Sequence, residues 1–163
     1  MDDDSFHETG EITGKVSYDE NGEIKEFVPA NFVFGRGKLD GREVVVAGDD
    51  FTVRGGAADA RIGNKSLYSL KLAEHLRLPL VNLVDGSGGG GSVKTLETMG
   101  ATYVPGLPSW QNIVRLLSMV PVVGACMGSV AGLGSARVVA SHSSIMVRSE
   151  EHTSELQSLV KLV

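Results

Sequence analysis

The sequence holds a single cysteine, Cys126, so no disulfide can close within the chain and a reducing compartment is the expected setting. It also lacks a basic excess. Fifteen Lys and Arg stand against 20 Asp and Glu, and the resulting net charge of −5 argues against a nucleic-acid partner. No uninterrupted apolar run reaches the roughly 20 residues that span a bilayer, which argues against a membrane partner as well. The opening Met1-Asp2-Asp3-Asp4 is acidic where a targeting leader would be basic. Cytoplasm is therefore expected, and a mitochondrial location stays open if the frame is truncated at its front.

Side-chain chemistry is equally sparse. No G-x-S-x-G elbow exists, because Ser87, Ser129 and Ser135 all lack a glycine two residues earlier. His7, His75, His142, His152 and Cys126 show no metal-ligand spacing, so no metal is expected. His75 and His142 read as helix-surface or capping residues, and Cys126 as a small core residue.

What the chain has instead is glycine, 21 residues in 163, concentrated in two stretches. Asp85-Gly86-Ser87-Gly88-Gly89-Gly90-Gly91-Ser92 and Gly128-Ser129-Val130-Ala131-Gly132-Leu133-Gly134 each follow a strand-like run and open a helix-like one. Glycine at this density marks backbone that adopts unusual dihedrals or lets a ligand approach its N–H groups. The first stretch reads like a flexible linker, but a linker has polar flanks and this one sits between an apolar strand and an amphipathic helix. It is a poor P-loop, since Ser92-Val93 intervenes before Lys94-Thr95. It is also a poor dinucleotide fingerprint, with no acid near the expected separation of about 20 residues. A backbone oxyanion site remains, in which N–H groups from two loops hold a developing negative charge, as a thioester enolate requires.

Residues 1–30 read as an acidic peripheral extension with a hairpin signal at Asn21-Gly22. Phe32-Val33-Phe34 and Glu43 to Ala47 form a strand pair across Asp40-Gly41, and Phe51-Thr52-Val53 a further strand ending at Gly55-Gly56. Asn64 caps a helix carrying Leu67, Leu70, Ala73 and Leu76, and Pro79 closes it. Leu80 to Val84 is a buried strand, Val93 to Met99 a helix, and Ser109 caps another helix with Trp110, Ile113, Leu116 and Leu117. Val120 to Cys126 is a second buried strand, Ala136 to Ala140 a helix, and Ser144 to Val147 begins a third strand. This alternation is an α/β domain, whose ligands gather at the carboxyl ends of the strands.

From about Asn31 to Val147 the chain resembles the N-terminal, acyl-CoA half of the carboxyltransferase (beta) subunit of biotin-dependent acyl-CoA carboxylases, the propionyl-CoA and methylcrotonoyl-CoA carboxylase group. The words that carry it are Gly41-Arg42-Glu43-Val44-Val45-Val46, Asp50-Phe51-Thr52-Val53-Arg54-Gly55-Gly56, Asp85-Gly86-Ser87-Gly88-Gly89 and Gly128-Ser129-Val130-Ala131-Gly132. The resemblance implies an incomplete crotonase-like (ClpP/crotonase) superhelix of ββα units, with a partial acyl-CoA carboxyltransferase domain over 31–147. It implies transfer of a carboxyl group from carboxybiotin to the α- or γ-carbon of an acyl-CoA through an enolate.

By position, Ala131, Gly132 and Leu133 match the family's Ala-Gly-Gly segment of the oxyanion hole. Ser87, Gly88, Gly89 and Gly90 fall on its acyl-binding segment. Two departures stand out: Leu133 replaces a usual glycine, and Gly86 is inserted between Asp85 and Ser87, so the glycine register shifts by one.

The resemblance further implies an acyl-CoA substrate, a biotin carboxylase or biotin carrier partner, and a homo-oligomeric parent. Biotin would reside on a partner domain or subunit, with no cofactor bound by the fragment itself. The run Arg148 to Ser158 resembles a translated sequencing-library adapter, so 148–163 is set apart as a non-native tail expected to pack poorly. The biotin half of the family is absent, and the fragment alone is expected to be inactive. The rival readings are a crotonase-like hydratase or isomerase, for which Glu97 is the one candidate acid–base group, and a non-catalytic fragment.

Overall fold

The computed structural model describes residues 1–56, 64–87, 93, 96–97, 100–101 and 109–147. Its centre is one six-stranded sheet with strand order β1-β4-β5-β6-β7-β8. The strands are β1 (His7–Glu8), β4 (Phe32–Leu39), β5 (Arg42–Asp49), β6 (Leu80–Ser87), β7 (Val122–Ala131) and β8 (Ser143–Met146). A separate hairpin joins β2 (Gly14–Tyr18) to β3 (Ile24–Pro29). β1, β4 and β5 pair antiparallel, whereas β5 through β8 pair parallel.

Each parallel step needs a crossover. In the described residues these carry α1 (Lys65–Leu76) before β6, α2 (Trp110–Leu117) before β7 and α3 (Leu133–Val139) before β8. Right-handed crossovers between successive neighbouring strands put their helices on one side of a sheet. The core agrees. Leu70 and Ala73 of α1 and Ile113 and Leu116 of α2 pack with Phe32, Phe34, Val45, Ala47, Leu80 and Val122, which share one face by their two-residue period. Val138 of α3 packs further along that face with Val84, Cys126 and Val130. On the opposite face Met1 and Phe6 border a cleft with Val33, Val46 and Leu83.

Both hairpin signals form turns. Leu39 pairs with Arg42 across Asp40 (φ 50°) and Gly41 (φ 75°), the two left-handed positions of a tight hairpin. At the other, Asp19 Oδ1 accepts the Asn21 and Glu23 amides, both at 2.9 Å, and Gly22 takes φ 82°.

Several expectations are corrected. Phe51-Thr52-Val53 is a turn, not a strand, because the Asp50 carboxylate folds back on the Thr52 amide at 2.9 Å; a 3₁₀ turn, Arg54–Gly56, follows. Asn64 and Ser109 occupy N-cap positions, but neither side chain makes a capping bond. His142 is exposed but lies past the end of α3 rather than on a helix, and its Nδ1 accepts the Val122 amide at 3.0 Å where β7 begins. Of the helix expected over 93–99, Val93, Leu96 and Glu97 are described, and all three are helical and exposed. The tail 148–163 lies outside the described residues.

Candidate functional site

β6 and β7 run side by side to their carboxyl ends, where Gly86 pairs with Val130 and Ser87 with Ala131. The two glycine stretches therefore begin on adjacent parallel strands at one edge of the sheet. Much of what reads as loop is strand: β6 continues through Asp85-Gly86-Ser87, and β7 through Gly128-Ser129-Val130-Ala131. Backbone pairing makes these segments strand despite their low β-propensity, as tertiary context commonly does. The ladder is interrupted between Val84 and Gly86, where Val84 still faces Cys126 but Gly86 already faces Val130. Asp85 thus lies opposite a bulge over Met127–Ser129. Gly128 leaves room for its carboxylate, since a Cβ there would sit 2.7 Å from Asp85 Oδ1.

The chain turns at Gly132, with φ 58° and ψ −125°. That corner suits the first central position of a type II′ turn, which glycine dominates. The first backbone bond of α3 runs from the Ala136 amide to the Gly132 carbonyl at 3.2 Å. The amides of Leu133, Gly134 and Ser135 therefore precede the helical ladder, as in any helix start. Gly132 is exposed, Ala131 and Leu133 half-buried. The Ser135 hydroxyl donates to the Val130 carbonyl at 3.1 Å and ties the first turn of α3 down to β7.

A third glycine segment joins them, one that sequence reasoning used for the resemblance but did not place in the site. A Cβ on Gly86 (φ 119°) would lie 2.7 Å from the Gly55 carbonyl oxygen and 3.0 Å from Gly56 Cα. One on Gly134 would lie 2.9 Å from the Gly86 carbonyl oxygen. The 3₁₀ turn, the end of β6 and the start of α3 are thus stacked main chain on main chain. The available signal was the Gly55-Gly56 pair soon after a strand.

Of the residues expected to form the site, Ala131, Gly132, Leu133 and the backbone of Ser87 fall at this edge. Gly88, Gly89 and Gly90 lie outside the described residues.

Charge is buried beneath the edge. The Asp49 side chain, 2% exposed, forms an ion pair with the Arg137 guanidinium of α3, which is 14% exposed. Desolvation, reinforced by neighbouring Asp49, raises the Asp85 carboxyl above the ordinary carboxylate range. Burial likewise raises the Cys126 thiol, whose S–H donates to the Gly128 carbonyl at 3.2 Å. Cys126 is accordingly a core residue, and its protonated state makes it a poor nucleophile.

Residues 1–154 match the model of the carboxyl transferase domain. The chain belongs to that family. It is 28% identical over 134 residues to the biotin-dependent acetyl-/propionyl-coenzyme A carboxylase beta5 subunit of Mycobacterium tuberculosis, covering 81% of this chain and 23% of the relative. It is also 28% identical over 132 residues to the methylmalonyl-CoA decarboxylase subunit alpha of Veillonella parvula, covering 81% and 25%. The chain thus spans about a quarter of the curated relatives it matches.

Among solved structures, the transcarboxylase 12S hexamer with methylmalonyl-coenzyme A bound superposes with a TM-score of 0.67 at 25% identity, over 99% of this chain and 31% of that one. The beta subunit of Pseudomonas aeruginosa geranyl-CoA carboxylase gives 0.60 at 21% identity, over 86% and 25%. The carboxyl transferase domain family member described here therefore has the crotonase-like α/β fold, present in part. Among its described residues no helix is long and apolar enough to cross a membrane.

Proposed function

We propose that the parent of this chain transfers a carboxyl group from carboxybiotin to the α- or γ-carbon of an acyl-CoA, and that the described edge holds the thioester. The observation that carries the reading is the juxtaposition of Ser87 and Ala131 on neighbouring strands, with the exposed Gly132 corner presenting the first amides of α3. Backbone donors aimed at a thioester oxygen stabilise an enolate more than its neutral precursor, which is what lowers a barrier. Ala131, Gly132 and Leu133 supply that segment, and Ser87 with Gly88, Gly89 and Gly90 lines the acyl group. Being fixed by β7 and by the Ser135 bond to Val130, the donors need no reorganisation as charge develops.

Biotin, carried by a partner domain or subunit, supplies the carboxyl group. Carrier and carboxylase subunits are thus the proposed partners, with the parent assembling as a homo-oligomer.

The test compares carboxylation of acetyl-, propionyl- and methylcrotonyl-CoA by this chain, by the restored parent and by a parent carrying Leu133→Pro. Position 133 is the first residue of α3, where proline fits the helix and removes one N–H. The fragment is expected to be inactive. The restored parent should turn over, and the variant, folded by circular dichroism, should lose about 10²–10³ in rate. Full turnover by the folded variant would place the oxyanion donors elsewhere.

A further inference from the structure

We infer that Asp49 is a positioning residue, one carboxylate that sets the spacing of all three glycine segments at the edge. The functional arm of this inference rests on the proposed function, whereas its structural arm does not.

Asp49 is the last residue of β5, and the backbone pairing of β5 with β6 runs from Val45–Leu80 to Gly48–Leu83. Beyond that point the side chain carries the connection on: Asp49 Oδ2 accepts the Asp85 amide at 3.3 Å. That amide faces β5 just past the last backbone pair, Gly48–Leu83, so the end of the β5–β6 ladder leaves a donor for the Asp49 side chain to take. The same oxygen meets the Arg137 guanidinium, in the second turn of α3. Asp85 directly precedes Gly86 and Ser87; Arg137 stands on the helix that Gly132 opens; Asp49 itself leads through a turn into Gly55-Gly56.

A buried ion pair is an expensive way to hold a helix, since desolvation offsets most of the attraction and apolar residues of similar volume commonly do as well. What an ion pair adds is direction. Among the described residues the apolar cluster under α3 comprises Val84, Cys126, Val130 and Val138, and apolar contacts of that extent would let so short a helix slide on the sheet. The guanidinium fixes it in one place, with the Phe32 ring centroid 5.8 Å from Arg137 Cζ.

Amide hydrogen exchange on the chain as it stands tests this. Asp49→Asn keeps an acceptor for the Asp85 amide but removes the charge that holds Arg137. The expected result is at least ten-fold faster exchange at Asp85 and Ala136, whose amides bond to Asp49 Oδ2 and to the Gly132 carbonyl, than global destabilisation accounts for, as read from Leu80 and Val122. Arg137→Gln should reproduce it, and the double variant should add little. Uniform acceleration across all four amides, or no change at Asp85 and Ala136, overturns the inference.

Should the variants not fold, the unaltered chain still decides the matter. Slow rotation about the Arg137 guanidinium bonds in its side-chain nitrogen spectrum is expected, and averaged signals would refute a fixed pair. The functional arm follows the carbonyl resonance of [1-13C]propionyl-CoA. Wild type should shift it downfield, and Asp49→Asn should diminish that shift with affinity changed less than about three-fold. An unshifted carbonyl in the wild type counts against the proposed donors, while the exchange pattern continues to judge Asp49.

Discussion

Two groups of glycines do different work in this molecule. Gly22 and Gly41 sit at hairpin tips with φ 82° and 75°, and a Cβ on either would meet nothing within 4 Å. Gly86 and Gly134 sit at the carboxyl edge of the sheet, where a Cβ would press into the backbone of another segment. The first group provides conformation for a turn, and the second provides proximity between main chains. The contrast separates a turn glycine from a packing glycine without reference to any ligand; Gly124, where a Cβ would lie 2.8 Å from the Val138 carbonyl oxygen, is a packing glycine away from the edge.

The sharpest way to break the comparison is Gly86→Ala. It combines a positive φ with a methyl 2.7 Å from the Gly55 carbonyl oxygen, neither of which can relax without moving the 3₁₀ turn. Strained dihedrals and overpacking together cost about 3–5 kcal/mol, to be read by urea unfolding. A loss under about 1 kcal/mol would mean that the stacked segments separate freely. Next comes Arg137→Met, which removes the guanidinium paired with the buried Asp49 carboxylate and should cost about 3 kcal/mol, with Asp49→Asn on the same background restoring part of it. If the double variant is no more stable than the single, the pair is not the unit described here.

Gly41→Ala should cost only about 1–2 kcal/mol, the penalty of a left-handed alanine with open space around it. Gly41→Asn should cost less, since asparagine tolerates that conformation. Equal losses at Gly41 and Gly86 would erase the distinction between the two groups.

The strand–helix alternation was legible because buried parallel strands and amphipathic helices have different periods, and Leu80 to Val84 and the helix around Ile113 and Leu116 carry them clearly. Both hairpins were legible because Asn-Gly and Asp-Gly name their own turn geometry. The two glycine stretches were legible as one edge, since crossover topology puts successive strand ends together. What could not be read was where strand stops and loop starts: Gly86, Ser87, Val130 and Ala131 belong to strands only because a neighbouring strand pairs with them. Gly55-Gly56 entered the site for the same reason, through a contact with Gly86 thirty residues away in sequence. Nor did any local pattern tie Asp49 to Arg137, whose partnership depends on α3 folding back over the sheet.

The smallest expected effect lies just beneath the edge, at Asp85. Its carboxyl is raised above its ordinary value by desolvation and by the charge of Asp49, so the folded chain holds that proton more tightly than the unfolded chain does. Linkage then fixes the sign. Stability from this group is fully present below the unfolded value, about pH 3.9, and is lost as pH rises through the raised native value. At pH 7 the ionised Asp85 therefore weakens the fold, and Asp85→Asn should melt above wild type there, with the advantage fading as pH falls toward 4. Because Asp85 is only half-buried, solvent screening keeps the difference small. The comparison to make is the difference in Tm between the two proteins from pH 4 to pH 7. An asparagine variant that melts below wild type at pH 7 would show that the Asp85 charge is satisfied at this edge and serves it, which would place a carboxylate among the groups that build a site otherwise made of main chain.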